Sequence, residues 1–257
     1  MYATDITDFQ WEVIKKNLSR KIWSRKRKYC IRLLINAILY VTKTGIQWRM
    51  LPKDFPDWEL VYYYHQTWSS KGIVKQIHDS LVMQVRLDNQ KESSPSLGLI
   101  DSQTVKSMSF TVEKGYDGNK KQVGRKRFIV TDTLGLIMGI VICRADMGER
   151  AGALLVFEKL KNRFGRLVKI LADQGFTGIE FIQHVKDTFG LVIEIVAKVL
   201  GKGAFQVIPK RWIVERTFGW LAFHRRLTKD YEVKIIHSEA FIYWAMIRIM
   251  TKKCRGT

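Results

Sequence analysis

The sequence predicts an α/β protein in which an all-helical region precedes a mixed five-stranded sheet with helices. Three observations carry this expectation. Apolar residues recur at helical spacing through the first ninety residues. Short apolar, strand-like runs then alternate with helical stretches in the order βββαβαβα, followed by one closing helix. Between the two patterns lies DNQKESSPS, residues 88–96, a polar stretch with almost nothing to bury. The expected domains are residues 1–90 and 91–257.

In the first region, Thr7 caps a helix running to Leu18, with Phe9, Val13 and Ile14 apolar. A basic run, RKIWSRKRK, occupies residues 20–28. A strong amphipathic pattern spans residues 29–43, and Gly45 is its C-terminal stop. After the loop GIQWRMLPKDFP, a third helix is expected over residues 57–71, stopping at Gly72, and a fourth over residues 73–87. Helix, short turn, helix in a basic setting resembles a helix-turn-helix module, and a plain helical bundle fits the spacing equally.

In the second region, strands are expected at residues 97–101 (LGLID), 128–132, 136–142, 168–173 (VKILAD) and 191–197 (LVIEIVA). Helices are expected at residues 150–163, 177–188, 211–223 and 238–252.

Composition narrows the function classes. With 257 residues, 46% hydrophobic and 12% aromatic, the chain can bury a real core and is not a disordered tail. Lys and Arg total 44 against 24 acids, a net charge of +20. That excess points to a polyanionic partner, nucleic acid ahead of anionic membrane. Cys30, Cys143 and Cys254 are scattered, with neither zinc-ligand spacing nor a disulfide framework, as suits reduced cytoplasmic thiols. The first residues, MYATDITDFQWE, lack the features of a signal peptide, and no apolar stretch is long enough for a bilayer. A cytoplasmic, nucleoid-associated DNA-binding protein is the expectation, with no membrane partner. The five histidines show no ligand spacing.

Two expected strands close on an aspartate, Asp101 in LIDSQ and Asp173 in LADQG. Taken singly, an aspartate there is a turn former or helix cap. With Glu215 on a later helix the set gains a sharper meaning. Three carboxylates converging from two strands and a helix make a hard oxygen site for Mg²⁺ or Mn²⁺. Two such ions, roughly 3.5–4 Å apart, activate an attacking oxygen and stabilise a leaving one in phosphodiester chemistry. Arg211 lies four residues before Glu215 and shares its helix face, where it can meet a phosphate beside the ion. Alone, that pair would be a surface salt bridge stabilising by about 0.2–0.5 kcal/mol.

Cations surround these acids in sequence. Arg216, Arg225 and Arg226 join Arg211 as candidate DNA contacts. The stretch NKKQVGRKR, residues 119–127, reads as a phosphate-tracking loop with Lys120, Lys121, Arg125, Lys126 and Arg127, or else as a solvated hairpin. Trp212 and Trp220 bracket Glu215 as a core stripe or as platforms for a splayed base. Asp132, Asp146 and Glu149 are spare acids assigned to turns or outer positions.

The order of strands and acids is similar to that of the ribonuclease H fold, and the chain resembles bacterial insertion-sequence transposases of the DDE type, in the group named for insertion sequence five. The likeness runs almost end to end. It rests on Trp11, on TGIQWRMLPKDFPDW at residues 44–58, and on the helix carrying Tyr62, Trp68 and Gly72. It continues through LIDSQTVK, GYDGNKKQVGRKR, DTLGL, LADQGF, PKRWIVERTFGWL, RRLTKDYE and AMIRIM. The resemblance implies that Asp101, Asp173 and Glu215 bind two catalytic Mg²⁺ (or Mn²⁺) ions. It further implies hydrolysis at the ends of an insertion sequence, attack of the freed 3′-hydroxyl on target DNA, and a homo-oligomer that holds both ends. Four positions depart from the family pattern: Ile208 stands where tyrosine is frequent, Ala222 where lysine is, Phe128 where histidine is usual, and Glu149 where aspartate is common. A DNA nuclease of the same fold and a catalytically silent, DNA-binding relic are the alternatives.

Overall fold

The computed structural model describes residues 2–18, 28–196 and 210–254. The basic run at residues 20–28, apart from Lys28, lies outside the described residues, as do Ile208 and the end of the strand expected over residues 191–197. In chain order the elements are α1 (Asp8–Lys16), α2 (Ile31–Thr44), α3 (Trp58–Ser70), α4 (Ile73–Asp88), β1 (Leu97–Lys106), β2 (Gly115–Asp117), β3 (Gln122–Thr131), β4 (Ile137–Arg144), α5 (Glu149–Leu160), β5 (Lys169–Ala172), α6 (Ile179–Phe189), β6 (Val192–Ile195), α7 (Trp212–Ala222) and α8 (Ile235–Thr251). Among the described residues no helix is long and apolar enough to cross a membrane.

The chain divides into two compact units. One comprises Met1–Lys91, Phe110–Val112 and Leu221–Thr257, the other Glu92–Ser109 and Glu113–Trp220. In the first, α1 opens with a reciprocal capping box between Thr7 and Gln10. Gly45 ends α2 at φ +71°, and a Cβ there would stand 2.9 Å from Arg225 Cβ, so the turn and the approach both require glycine.

Helix α8 organises this unit. Thirteen of its seventeen residues are buried, including Phe241, Trp244 and Met246. A helix that is apolar around its whole circumference must be enclosed, and α1, α2, α3 and α4 all pack against it. The closing helix, expected within residues 91–257, therefore belongs with the N-terminal helices. Its allegiance is set by packing across the chain rather than by sequence order.

The second unit is built on one mixed sheet. β1, β3 and β4 pair antiparallel, and β5 and β6 run parallel to β1, in the order β3–β1–β5–β6. The far edge of β3 is shared: β2 pairs its first residues (Gly115 with Gly124), and β4 pairs the rest (Arg125 with Arg144). A core of Phe128, Val130, Val141, Val156, Phe157, Ile170, Phe181 and Val185 ties the sheet to α5 and α6. Phe128 fills this core where the family pattern has histidine, and its ring lies over Gly152, where a Cβ would come within 2.2 Å.

Two strands are longer than expected. β1 runs five residues past Asp101, to Lys106, and β3 begins at Gln122 rather than Phe128. The two lengthen together, pairing through Lys106 with Gly124. Gly124 permits this close approach, since a Cβ there would stand 1.9 Å from the Val105 carbonyl oxygen. The polar segments SQTVK and QVGRKR concealed this pairing, because they lack the apolar alternation that marks a strand.

Candidate active site

Strand register brings the two aspartates together. Leu99 on β1 is level with Leu171 on parallel β5. Two residues further along each chain stand Asp101 and Asp173, on the same side of neighbouring strands. β5 ends at Ala172 while β1 continues, so Asp101 sits mid-strand where its neighbour stops. Asp173 turns into a short 3₁₀ segment, Gln174–Phe176, and its Oδ1 accepts the Gly175 N–H at 2.9 Å. Gly175 is confined: a Cβ there would stand 3.0 Å from Asp173 Oδ1 and 3.2 Å from Glu149 Cγ.

Glu215 arrives on α7, which is fixed to the β3–β4 turn. Asp132 shapes that turn, its Oδ1 accepting the N–H groups of Leu134 and Leu136 at 2.9 Å each. Gly135 follows at φ +82°. Thr217 Oγ1 donates to the Gly135 carbonyl at 2.9 Å, and Arg216 donates to that of Leu134 at 3.1 Å. The motif DTLGL thus anchors the helix that presents Glu215. Sequence reading assigned Asp132 to a turn, and it missed that the turn grips α7.

Arg211 joins the acids. Its Nη2 donates to Asp173 Oδ2 at 2.9 Å, and its Nε stands 3.5 Å from Glu215 Oε1. Asp101 completes the group. Burial pushes its carboxyl up to about 6; the Ser102 N–H and Arg211 act in the opposite sense, and the charges of Asp173 and Glu215 add to the rise. The three predicted acids are therefore electrostatic neighbours around one guanidinium. Among the described residues no three acid, His or Cys side chains already converge tightly enough to cage an ion. The cation held by Asp173 and Glu215 is Arg211, which stands in for a positive charge at a donor set of hard oxygens. That donor set fits a hard divalent ion.

Two further residues border the site. Glu149, at the start of α5, accepts from Ser102 Oγ at 3.0 Å and from Lys126 Nζ at 3.3 Å, while Lys126 also donates to the Met147 carbonyl at 2.8 Å. Ser102 in turn gives its N–H to Asp101 at 2.7 Å. Sequence reading named Glu149 and Lys126 but not their pairing. Asp146 does not join the group; it forms a two-point pair with Arg144 at 3.1 and 2.7 Å.

Burial corrects the list of expected DNA contacts. Arg125, Lys126 and Arg127 are on β3 rather than in a loop, with 0%, 7% and 2% of their surface exposed. Arg226 is enclosed in the helical unit, its guanidinium donating to Glu232 at 2.9 Å and to the Ile46 carbonyl at 3.3 Å. These four side chains are buried within their units and present little surface to a phosphate. Arg216 is clamped between Trp212 and Trp220, 4.5 Å from each ring centroid. The tryptophans thus serve as walls for a cation. Lys120, Lys121 and Arg225 are exposed.

A mixed sheet of this order, with acids from β1, from beyond β5 and from a late helix, defines a ribonuclease H-like domain of the DDE class. Comparison with protein families agrees. Residues 92–250 match the family described as "Transposase DDE domain", and residues 6–78 match "Putative transposase of IS4/5 family". The chain belongs to the DDE transposases, in the IS4/5 family. A search of curated proteins gave no match.

Proposed function

We propose that this transposase binds the ends of an insertion sequence and catalyses metal-dependent DNA cleavage and strand transfer. The observation that carries the reading is the grouping of Asp101, Asp173 and Glu215 around Arg211. Asp101, Asp173 and Glu215 would hold the Mg²⁺ or Mn²⁺ ions. Those ions would supply Lewis acidity for phosphoryl transfer. The chain's own part is positional. β1 and β5 fix the aspartates side by side, and the β3–β4 turn holds α7 so that Glu215 faces them. Arg211 contributes a forked donor suited to a phosphate. Lys120, Lys121 and Arg225 offer positive charge to the DNA backbone.

The helices of residues 1–90 would recognise the element's ends, with base contacts from α3. Joining two ends in one event calls for a homo-oligomer. DNA as substrate places the protein at the nucleoid.

The test uses labelled duplexes carrying the element's terminal repeats, Mg²⁺ and a target plasmid. Wild-type protein should yield joined products. Asp101→Asn, Asp173→Asn and Glu215→Gln should each lower cleavage by about 10³-fold or more, the scale of losing a group that stabilises transition-state charge, while end binding persists. Joined products from all three variants would overturn the assignment, and cleavage without joining would make the protein a nuclease.

A further inference from the structure

Arg211 is more than a neighbour of the acids. Both oxygens of Asp173 are engaged, Oδ1 by the Gly175 N–H and Oδ2 by Arg211. The Gly175 donor is backbone in a short 3₁₀ turn and cannot swing away. The guanidinium ends a long flexible side chain and can. Its side chain is 20% exposed, against 57% for that of Glu215, so it lies inward of the helix acid it contacts. An ion that takes Asp173 Oδ2 and Glu215 Oε1 as ligands competes with this guanidinium for the same oxygens. Once displaced, Arg211 is a largely enclosed cation without its carboxylates and needs a new anion within reach. A phosphate meets that need, because its oxygens match the guanidinium fork.

We propose that Arg211 is a placeholder cation, exchanged from Asp173 and Glu215 to a DNA phosphate as the acids take metal. This rests on the reading of the three acids as metal ligands. The consequence is a linkage. Without DNA, Arg211 competes with the metal and holds its affinity down. With DNA, the phosphate draws Arg211 away and the affinity rises. By reciprocity, metal raises the affinity for DNA by the same factor.

The experiment titrates Mn²⁺ into the full chain by calorimetry, with and without a blunt duplex of arbitrary sequence. Arg211→Ala should bind Mn²⁺ about fivefold tighter than wild type in the absence of DNA, equivalent to about 1 kcal/mol for the lost competing ion pair. The duplex should tighten Mn²⁺ binding by wild type about fivefold more than it does for the variant. Arg211→Gln provides the same comparison if the alanine variant folds poorly by circular dichroism. Equal or weaker Mn²⁺ binding by the variants without DNA would overturn the proposal. Asp173→Asn separates this from the underlying assignment. If that variant binds Mn²⁺ like wild type, the acids are not the metal site, whatever Arg211 does.

Discussion

Asp101→Asn should make the metal-free protein more stable at neutral pH. Burial raises the Asp101 carboxyl from an ordinary value of 3.8 to about 6, with Asp173 and Glu215 adding to the rise. The sign follows from linkage. Below pH 3.8 the group is protonated in both folded and unfolded chains and carries no penalty. Between 3.8 and about 6 the folded chain holds the proton more tightly, so stability falls as pH rises. Above about 6 the group is ionised in both states and the full penalty applies, about 3 kcal/mol at most. Asparagine removes the charge, keeps the shape, and retains an oxygen for the Ser102 N–H.

The gain should therefore be close to nil at pH 3.5 and reach about 1–3 kcal/mol at pH 8, a rise in melting temperature of roughly 2–10 °C for a chain of this size. Thermal denaturation from pH 3.5 to 8 measures it. Adding Mg²⁺ at pH 8 should reverse the ranking, because bound metal stabilises the wild type by mass action while the variant lacks a ligand. A variant no more stable than wild type at pH 8 without metal would refute the claim that ionised Asp101 is held at a cost.

Gly135→Ala combines positive φ with a Cβ 2.8 Å from Thr217 Oγ1, so denaturation should show a loss of about 1–3 kcal/mol; displacement of α7 should lower single-turnover cleavage as well. Arg226→Ala breaks the two-point pair with buried Glu232, whose side chain is 9% exposed, and should destabilise the helical unit by about 3–5 kcal/mol, read by loss of helical circular dichroism on mild heating. Replacing both Lys120 and Lys121 by alanine should cut the slope of log affinity for DNA against log salt by about 2, whereas Arg127→Gln should leave that slope unchanged; fluorescence anisotropy across a salt series distinguishes them.

The acids were legible because their signals are local. A short apolar run followed by aspartate marks a strand position twice, at Asp101 and Asp173, and four-residue spacing brings Arg211, just ahead of the helix, to the side that carries Glu215. Parallel pairing of β1 with β5 then needed only the ordinary strand order to set the aspartates side by side. The roles of the other residues depend on partners distant in sequence. Nothing near Asp132 or Gly135 announces that their turn grips Thr217 and Arg216, 82 residues away along the chain. The allegiance of α8 was hidden for the same reason, since the helices that enclose it come from the first ninety residues.

The basic stretch at residues 119–127 divides, with Lys120 and Lys121 exposed and Arg125, Lys126 and Arg127 buried, because charge alone does not state which way a side chain faces. A cation can be buried when its long stem packs on apolar neighbours and its head finds oxygen. Lys126 does this through Glu149 and the Met147 carbonyl, Arg226 through Glu232, and Arg248 through the Ala3 and Thr4 carbonyls. The net charge of +20 therefore overstates what the protein can offer to DNA from its surface. Part of it is spent inside the two units, and at the acid cluster Arg211 is already engaged before DNA arrives. Affinity for DNA should then respond to metal as well as to salt, because the metal decides whether that one cation is available.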